Sequence, residues 1–200
     1  MRRINGILTR KILSFLKNQL KDNRDKYVKF FNNFHGHLKE GILQDYLYKD
    51  EIAELLIFQT TESGKFVTLK EYVDNMKPDQ EEIYFVVAPT RELAVASPYF
   101  ESIKGKGYNV LLLQDARDEA AMSTIMTYDD KDITSIESAN IEISNDADAL
   151  NDDQVEDLSR FFTSNIEFCK GLEVTRKLSG TPAIIKDPEN SVMRHMRRLQ

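Results

Sequence analysis

The sequence predicts an α/β protein: a three-helix coil, then a small α/β/α sandwich with a short parallel sheet, then the beginning of an α+β domain. Three observations predict it. Apolar stripes at helical spacing fill the first third of the chain. Two continuous apolar runs of strand length, residues 83–88 and 110–113, flank a helical stretch in the layout of a crossover. A long acidic stretch then separates this sandwich from a second run of helical and strand patterns.

The first stripe is Ile4, Leu8, Ile12, Leu16 and Leu20. Residues 1–21 hold six basic residues and no acid. Such a start reads either as a mitochondrial presequence or as an ordinary amphipathic surface helix. KDNRDK breaks the pattern, and a second stripe follows at Tyr27, Phe30, Phe31, Phe34 and Leu38, with Gly41 as its expected stop. A short helix is expected over residues 50–58, burying Ile52, Leu55 and Leu56.

QTTESGK is a loop by composition. Thr68 and Glu71 read as a capping box, and the helix they open should end before Pro78. The first buried strand follows. Thr90 can cap a helix, and Ser97-Pro98 restarts one, with proline at the tolerated first position. Gly105 and Gly107 close it before the second strand. A helix is expected over 117–126 and a short third strand over 133–136. Helical spacing returns over 152–165, strands are expected over 172–178 and 183–186, and 191–200 reads as a basic amphipathic helix. The domains expected are 1–66 (coil), 67–138 (sandwich), 139–157 (acidic connector) and 158–200 (start of a C-terminal domain).

Composition excludes several classes. The chain of 200 residues is 41% hydrophobic and 30% charged, with a net charge of −6, so nothing pulls it as a whole toward nucleic acid or an anionic membrane. No apolar run approaches the roughly 20 residues that span a bilayer. Cys169 is the single cysteine, which rules out an internal disulfide and fits a reducing compartment.

Four constellations invite a chemical reading. A nucleotide at the crossover needs glycines where strand meets helix. Here the turns are Ala88-Pro89-Thr90-Arg91, which has no glycine and loses an amide at Pro89, and the acidic run 114–119. His35, His37 and Glu40 could suggest a metal, but the two histidines point about 200° apart on a helix and no second ligand cluster exists. Cys169 follows Phe168 with no partner histidine near it, so it reads as an inert thiol. Asp115, Asp118 and Glu119 form the densest acidic cluster, and the simplest reading is acids favoured at a helix N-terminus.

The ordered residues say more. KYVKFFNNFHGHLKEGI (26–42) and EIAELLIF (51–58) resemble the three-helix segment of the heat-shock protein 90 family of chaperones. TLKEYVDNMKPDQEEIYFVVA (68–88) and SPYFESIKGKGYNVLLLQDARDE (97–119) resemble the smaller sandwich of its middle domain. KLSGTPAII (177–185) resembles the opening of its C-terminal dimerisation domain. IYFVVAPTRELAVASPYFE and LNDDQVEDL look most like the mitochondrial, tumour-necrosis-factor-receptor-associated branch.

The resemblance implies a segment of an ATP-dependent chaperone that binds unfolded or partly folded client proteins and couples an ATPase domain to a dimerisation domain. The alternative is a stand-alone, ATP-independent holdase or decoy. In the family, ATP and magnesium bind in a domain this chain does not resemble, so no catalytic residue, cofactor site or metal site is expected here. Expected partners are client proteins and co-chaperones, with no nucleic acid and no membrane. The full-length family forms homodimers, and this chain is expected to be a monomer with a weakly covered C-terminal third. The compartment implied is mitochondrial, with the cytoplasm as second choice. The resemblance also favours the surface-helix reading of residues 1–21. By position, client contacts would fall on Asp118, Glu119 and Ala120, and on Val192, Met193, Met196 and Leu199 of the terminal helix. Relatives often carry a bulky apolar residue at the position of Ala120.

Overall fold

A computed structural model describes residues 2–139, 141, 151–166, 172, 173, 175, 178, 180, 181 and 183–186. Helices α1 (Arg2–Asp22) and α2 (Arg24–Gln44) are interrupted only at Asn23, inside the predicted break. Short α3 (Lys49–Ala53) follows. Then come β1 (Ile57–Thr60), β2 (Phe66–Thr68), α4 (Leu69–Asp74), β3 (Ile83–Val87), α5 (Arg91–Val95), α6 (Phe100–Lys106) and β4 (Leu111–Leu113). The remaining elements are α7 (Ala116–Ile125), β5 (Thr127–Tyr128), β6 (Lys131–Ser135) and α8 (Asp152–Asn165).

The strands form one sheet in the order β2-β1-β4-β3-β6-β5. Its centre is parallel, as expected: β3 pairs with β4 and with β6. The flanks are antiparallel. β1 pairs with β4 and β2, and β5 with β6 through a turn at Asp129 and Asp130, both at positive φ. That conformation matches the right-handed twist of a tight hairpin.

Both faces of the sheet are covered, and the side chains alternate between them. Ile83, Phe85, Leu111 and Leu113 enter a core with Tyr27, Phe31, Leu55, Leu56 and Met122 on the coil side. Tyr84, Val86, Val110 and Leu112 enter the other core, with Ala94, Phe100, Ile103 and Ile136. This two-sided burial is why those strands read as unbroken apolar runs.

Local chemistry sets several boundaries as expected. Thr68 Oγ1 accepts from the Glu71 amide and Glu71 answers from its side chain, a complete capping box. Thr90 caps α5 through the Leu93 amide. Gly107 ends α6 at φ 65, where a Cβ would be strained.

Other expectations are corrected. α1 buries Leu13, Leu16 and Leu20, while Ile4, Leu8 and Ile12 are exposed, so the predicted stripe runs across two faces. α2 does not stop at Gly41. It continues for another three residues because Gly41 is where α3 closes in: a Cβ there would sit 3.2 Å from Ile52 Cδ1. The helix expected over 50–58 ends at Ala53, and Ile57–Thr60 joins the sheet instead. Phe66–Thr68 pairs with it, Thr68 being both the last residue of that strand and the expected helix cap. Pro98 lies in the turn before α6 rather than inside it. The described residues of 172–178 and 183–186 are not in strands. Cys169 and the helix expected over 191–200 lie outside the described residues.

Candidate functional site

The junction of α2 with α7 concentrates the charge chemistry of the described residues. α2 carries Tyr27, Phe31 and Ile42 into the core, and the same face brings His35 and Lys39 with them at four-residue steps. A lysine on a core-facing stripe needs a partner. Its partner is Asp118, in the first turn of α7, and the side chains of Lys39 and Asp118 are only 3% and 6% exposed.

Each member is held from a second direction. Lys39 Nζ lies 2.7 Å from His35 Nδ1 and 5.9 Å from the centre of the Phe31 ring. Asp118 Oδ2 accepts from the Gln114 and Asp115 amides at 3.2 and 3.0 Å, while Oδ1 has the Lys39 ammonium as its neighbour and no other hydrogen-bond partner. Asp115 caps α7 and receives the Arg117 guanidinium through Nε at 3.0 Å and Nη2 at 2.7 Å.

Gly36 lies under the Arg117 guanidinium at this approach. A Cβ at that position would stand 2.7 Å from Arg117 Nη1. The glycine between the two histidines therefore serves helix-to-helix contact, and among the described residues no group of three or more His, Cys, Asp or Glu side chains could hold a metal.

The electrostatics follow from this packing. Burial, and then the adjacent Lys39 ammonium, hold the His35 imidazole below its ordinary pKa. Burial pushes the Asp115 carboxyl up, but the hydrogen bonds and charge of Arg117 outweigh it and leave it below the ordinary carboxylate range. At neutral pH the cluster is a neutral imidazole beside one ammonium, two carboxylates and one guanidinium.

A second charged tie lies near the other end of α2, fifteen residues or roughly 22 Å away along the axis. Arg24 donates to both Glu71 oxygens, at 3.0 and 2.8 Å, and to the Phe66 carbonyl at 2.8 Å. Glu71 is the same residue that closes the capping box of α4. One long helix is thus pinned near both ends, to α7 at one and to α4 and β2 at the other.

The sequence-predicted residues fall unevenly. Asp118 is enclosed and committed to Lys39, so it positions α7 from inside rather than presenting a surface. Glu119 and Ala120 are half-buried on the same helix. Val192, Met193, Met196 and Leu199 lie outside the described residues. Sequence reasoning missed His35, Lys39, Arg24 and Glu71 as a set of ties. The available signal was a cation and a histidine on the buried stripe of α2.

At the far side of the sandwich, the Glu101 carboxylate accepts from the Gly180 amide at 3.0 Å, and Tyr99 Oη donates to the Ile185 carbonyl at 2.8 Å. These bonds tether the stretch around residues 180–185 to α6 and the turn before it.

A family model described as Hsp90 protein matches residues 1–200. The mitochondrial TNF receptor-associated protein 1 homologue of Dictyostelium discoideum is 33% identical over 211 residues, covering 100% of this chain and 30% of its own length. The chaperone protein HtpG of Francisella tularensis is 40% identical over 144 residues, 70% of this chain and 23% of that protein. Among solved structures, the middle domain of a Plasmodium falciparum heat shock protein matches with a TM-score of 0.65 and 32% identity, over 68% of this chain and 56% of that one. The chain spans about 30% of the length of the first of these relatives. The resemblance to the mitochondrial branch, drawn from residues 83–101 and 150–158, is met by that relative, with bacterial relatives of comparable identity beside it. Matched by the family model over its whole length, this chain belongs to the Hsp90 family.

Proposed function

We propose that this chain is the segment of an ATP-dependent molecular chaperone that receives unfolded or partly folded client proteins and links the ATPase part to the dimerisation part. The observation that carries the linking role is the buried Lys39–Asp118 pair, reinforced by the Arg24–Glu71 tie. A lever transmits force only if its joints do not slip, and these ties make the coil and the sandwich one body. The pairing of β1 with β4 across the proposed boundary at residue 66 acts in the same direction. The other proposed boundaries lie at 138 and 157.

For the client-facing role, the proposal uses Glu119 and Ala120 on α7, with Asp118 setting the pose of that helix, and the apolar residues Val192, Met193, Met196 and Leu199. Client contact needs adaptable apolar surface, and its affinity per site is low because the client loses entropy on ordering. ATP and magnesium would act in the longer protein rather than on this chain. Client proteins and co-chaperones are its partners, the long form is a homodimer, and the compartment is the mitochondrion, with the cytoplasm as second choice.

Two experiments test the proposal. A photo-reactive benzoylphenylalanine at position 119 or 120 should crosslink an unfolded model client, and one at the exposed Lys70 should not. Equal yields at all three positions would remove the client surface from α7. An immunoblot of the source cells against residues 68–119 should give a band several-fold larger than 23.1 kDa. A band at 23.1 kDa would overturn the ATP-driven reading in favour of a stand-alone holdase.

A further inference from the structure

We propose that His35 is a proton-sensitive lock on the α2–α7 junction: neutral, it steers the Lys39 ammonium onto Asp118, and protonated, it releases that pair. This inference rests on the junction itself and holds whether or not the chaperone reading does.

A lysine ammonium only donates hydrogen bonds. The 2.7 Å contact between Lys39 Nζ and His35 Nδ1 therefore requires Nδ1 to be the accepting nitrogen, with the ring proton on Nε2. A proton added to Nδ1 replaces the acceptor with a second donor and sets two cations against each other in a site where Lys39 is 3% exposed. The contact has no protonated form, so the lysine must turn away, the half-buried ring must swing outward, or the helices must part, and each of these takes His35 off Lys39.

The charged groups facing His35 are few, and each can be assigned a direction. On its own helix, Lys39 opposes protonation, and Phe31 packs its ring 5.6 Å away with no charge to offer. From α7, Asp118 and Asp115 favour protonation and Arg117 opposes it. Both carboxylates are already engaged, Asp118 by Lys39 and two backbone amides, Asp115 by Arg117. Burial opposes the charged ring as well, so the balance falls on the neutral side.

The sign of the pH effect is fixed by that balance. The folded state holds His35 below its unfolded pKa, so the unfolded state binds the proton first as pH falls. The imidazole's contribution is therefore constant above about pH 6.5 and is lost progressively below it. Carboxylates titrate lower, which leaves a window between about pH 7 and pH 5.5 in which histidine dominates.

The test is a comparison of the wild-type chain with His35→Gln, which keeps an acceptor and cannot gain a proton. Denaturant melts at pH 7.0 and 5.5 give the folding equilibrium constant of each. For an unfolded pKa near 6.5, one histidine excluded from protonation lowers that constant by up to about eightfold over this interval. The wild type should lose several-fold more than His35→Gln, and amide protection factors across α7 should fall in the wild type alone. Equal losses in both proteins would overturn the lock. If the variant does not fold, nitrogen-15 spectra of wild-type His35 decide: the proton must sit on Nε2 at pH 7.5, and a proton on Nδ1 refutes the proposal.

Discussion

Breaking the Lys39–Asp118 pair from one side should be among the most damaging single changes available on α2. Lys39→Met keeps the aliphatic stem that packs near Phe31 but leaves the Asp118 carboxylate without its counter-charge. Asp118→Asn keeps an oxygen for the Gln114 and Asp115 amides and strands the ammonium instead. Both side chains are almost fully enclosed, so solvent does little to screen the orphan. A single truncation of a buried pair costs about 3–5 kcal/mol. At roughly 2–4 °C per kcal/mol for a chain of this size, Tm should drop by about 6–20 °C. The double variant removes both charges together, and its loss should be well below the sum of the singles, giving a coupling energy of the order of 2–3 kcal/mol. Urea melts of the four proteins, followed by circular dichroism, measure all of this. Singles that each cost under about 1 kcal/mol and add without coupling would show that the junction is held by apolar packing and that the pair is incidental.

Two further outcomes follow from the same geometry. Tyr72 Oη donates to the Asn109 carbonyl and accepts from Gln80 Nε2 and the Tyr84 amide, and burial pushes its pKa up to about 12. Tyr72→Phe takes this partner from the Asn109 carbonyl and the Tyr84 amide, while Gln80 keeps the Glu82 carbonyl, and should cost about 1–3 kcal/mol in a denaturant melt, an effect the loss of an exposed hydroxyl would not produce. Burial pushes the Glu71 carboxyl up, yet the Arg24 and Thr68 hydrogen bonds more than offset this and hold it below its ordinary range. Its contribution is present above the unfolded pKa and disappears as pH falls through the folded one. Glu71→Gln should therefore flatten the acid limb of the stability profile below about pH 4.5, and an unchanged limb would detach Arg24 from the stability of α4.

The sequence made the helices and the central strands legible because their residues obey one period each. Leu111 to Leu113, buried on both faces, could be nothing but a central strand once a helix preceded it. The hairpin of β1 and β2 was hidden for a physical reason. Ile57 and Phe58 continue the apolar character of α3, and only their pairing with Thr68 and Val67, with Gln59 and Thr60 paired to β4, decides that they extend. Gly41 misled in a similar way: a glycine that stops a helix and one that admits a neighbouring helix look alike until the neighbour is in place. Asp118 was found as a helix-opening acid, which it is, but its enclosure depends on Lys39, 79 positions earlier in the chain. No local pattern carries that pairing.

The choice of a charge pair at this junction has a mechanical consequence. Apolar contacts between α2 and α7 could re-form after a slip by whole ridges, because dispersion is indifferent to which apolar groups meet. A buried ammonium and carboxylate are not indifferent. A slip of one helical turn, 5.4 Å, would leave two unpaired charges in the core. The pair adds little net stability over a well-packed apolar substitute, yet every intermediate position is costly, so the junction is either closed in one register or open. Gly36 lies under the Arg117 guanidinium in this register, but the flexible end of that side chain can shift, so the charge pair rather than the glycine sets the register. If Lys39 and Asp118 are together replaced by Met and Asn, which keeps an acceptor for the Gln114 and Asp115 amides, stability should fall by well less than the sum of the single losses while the register loosens. Distances between spin labels on α1 and α5 would then broaden, and an unchanged distribution would mean that packing alone fixes the joint.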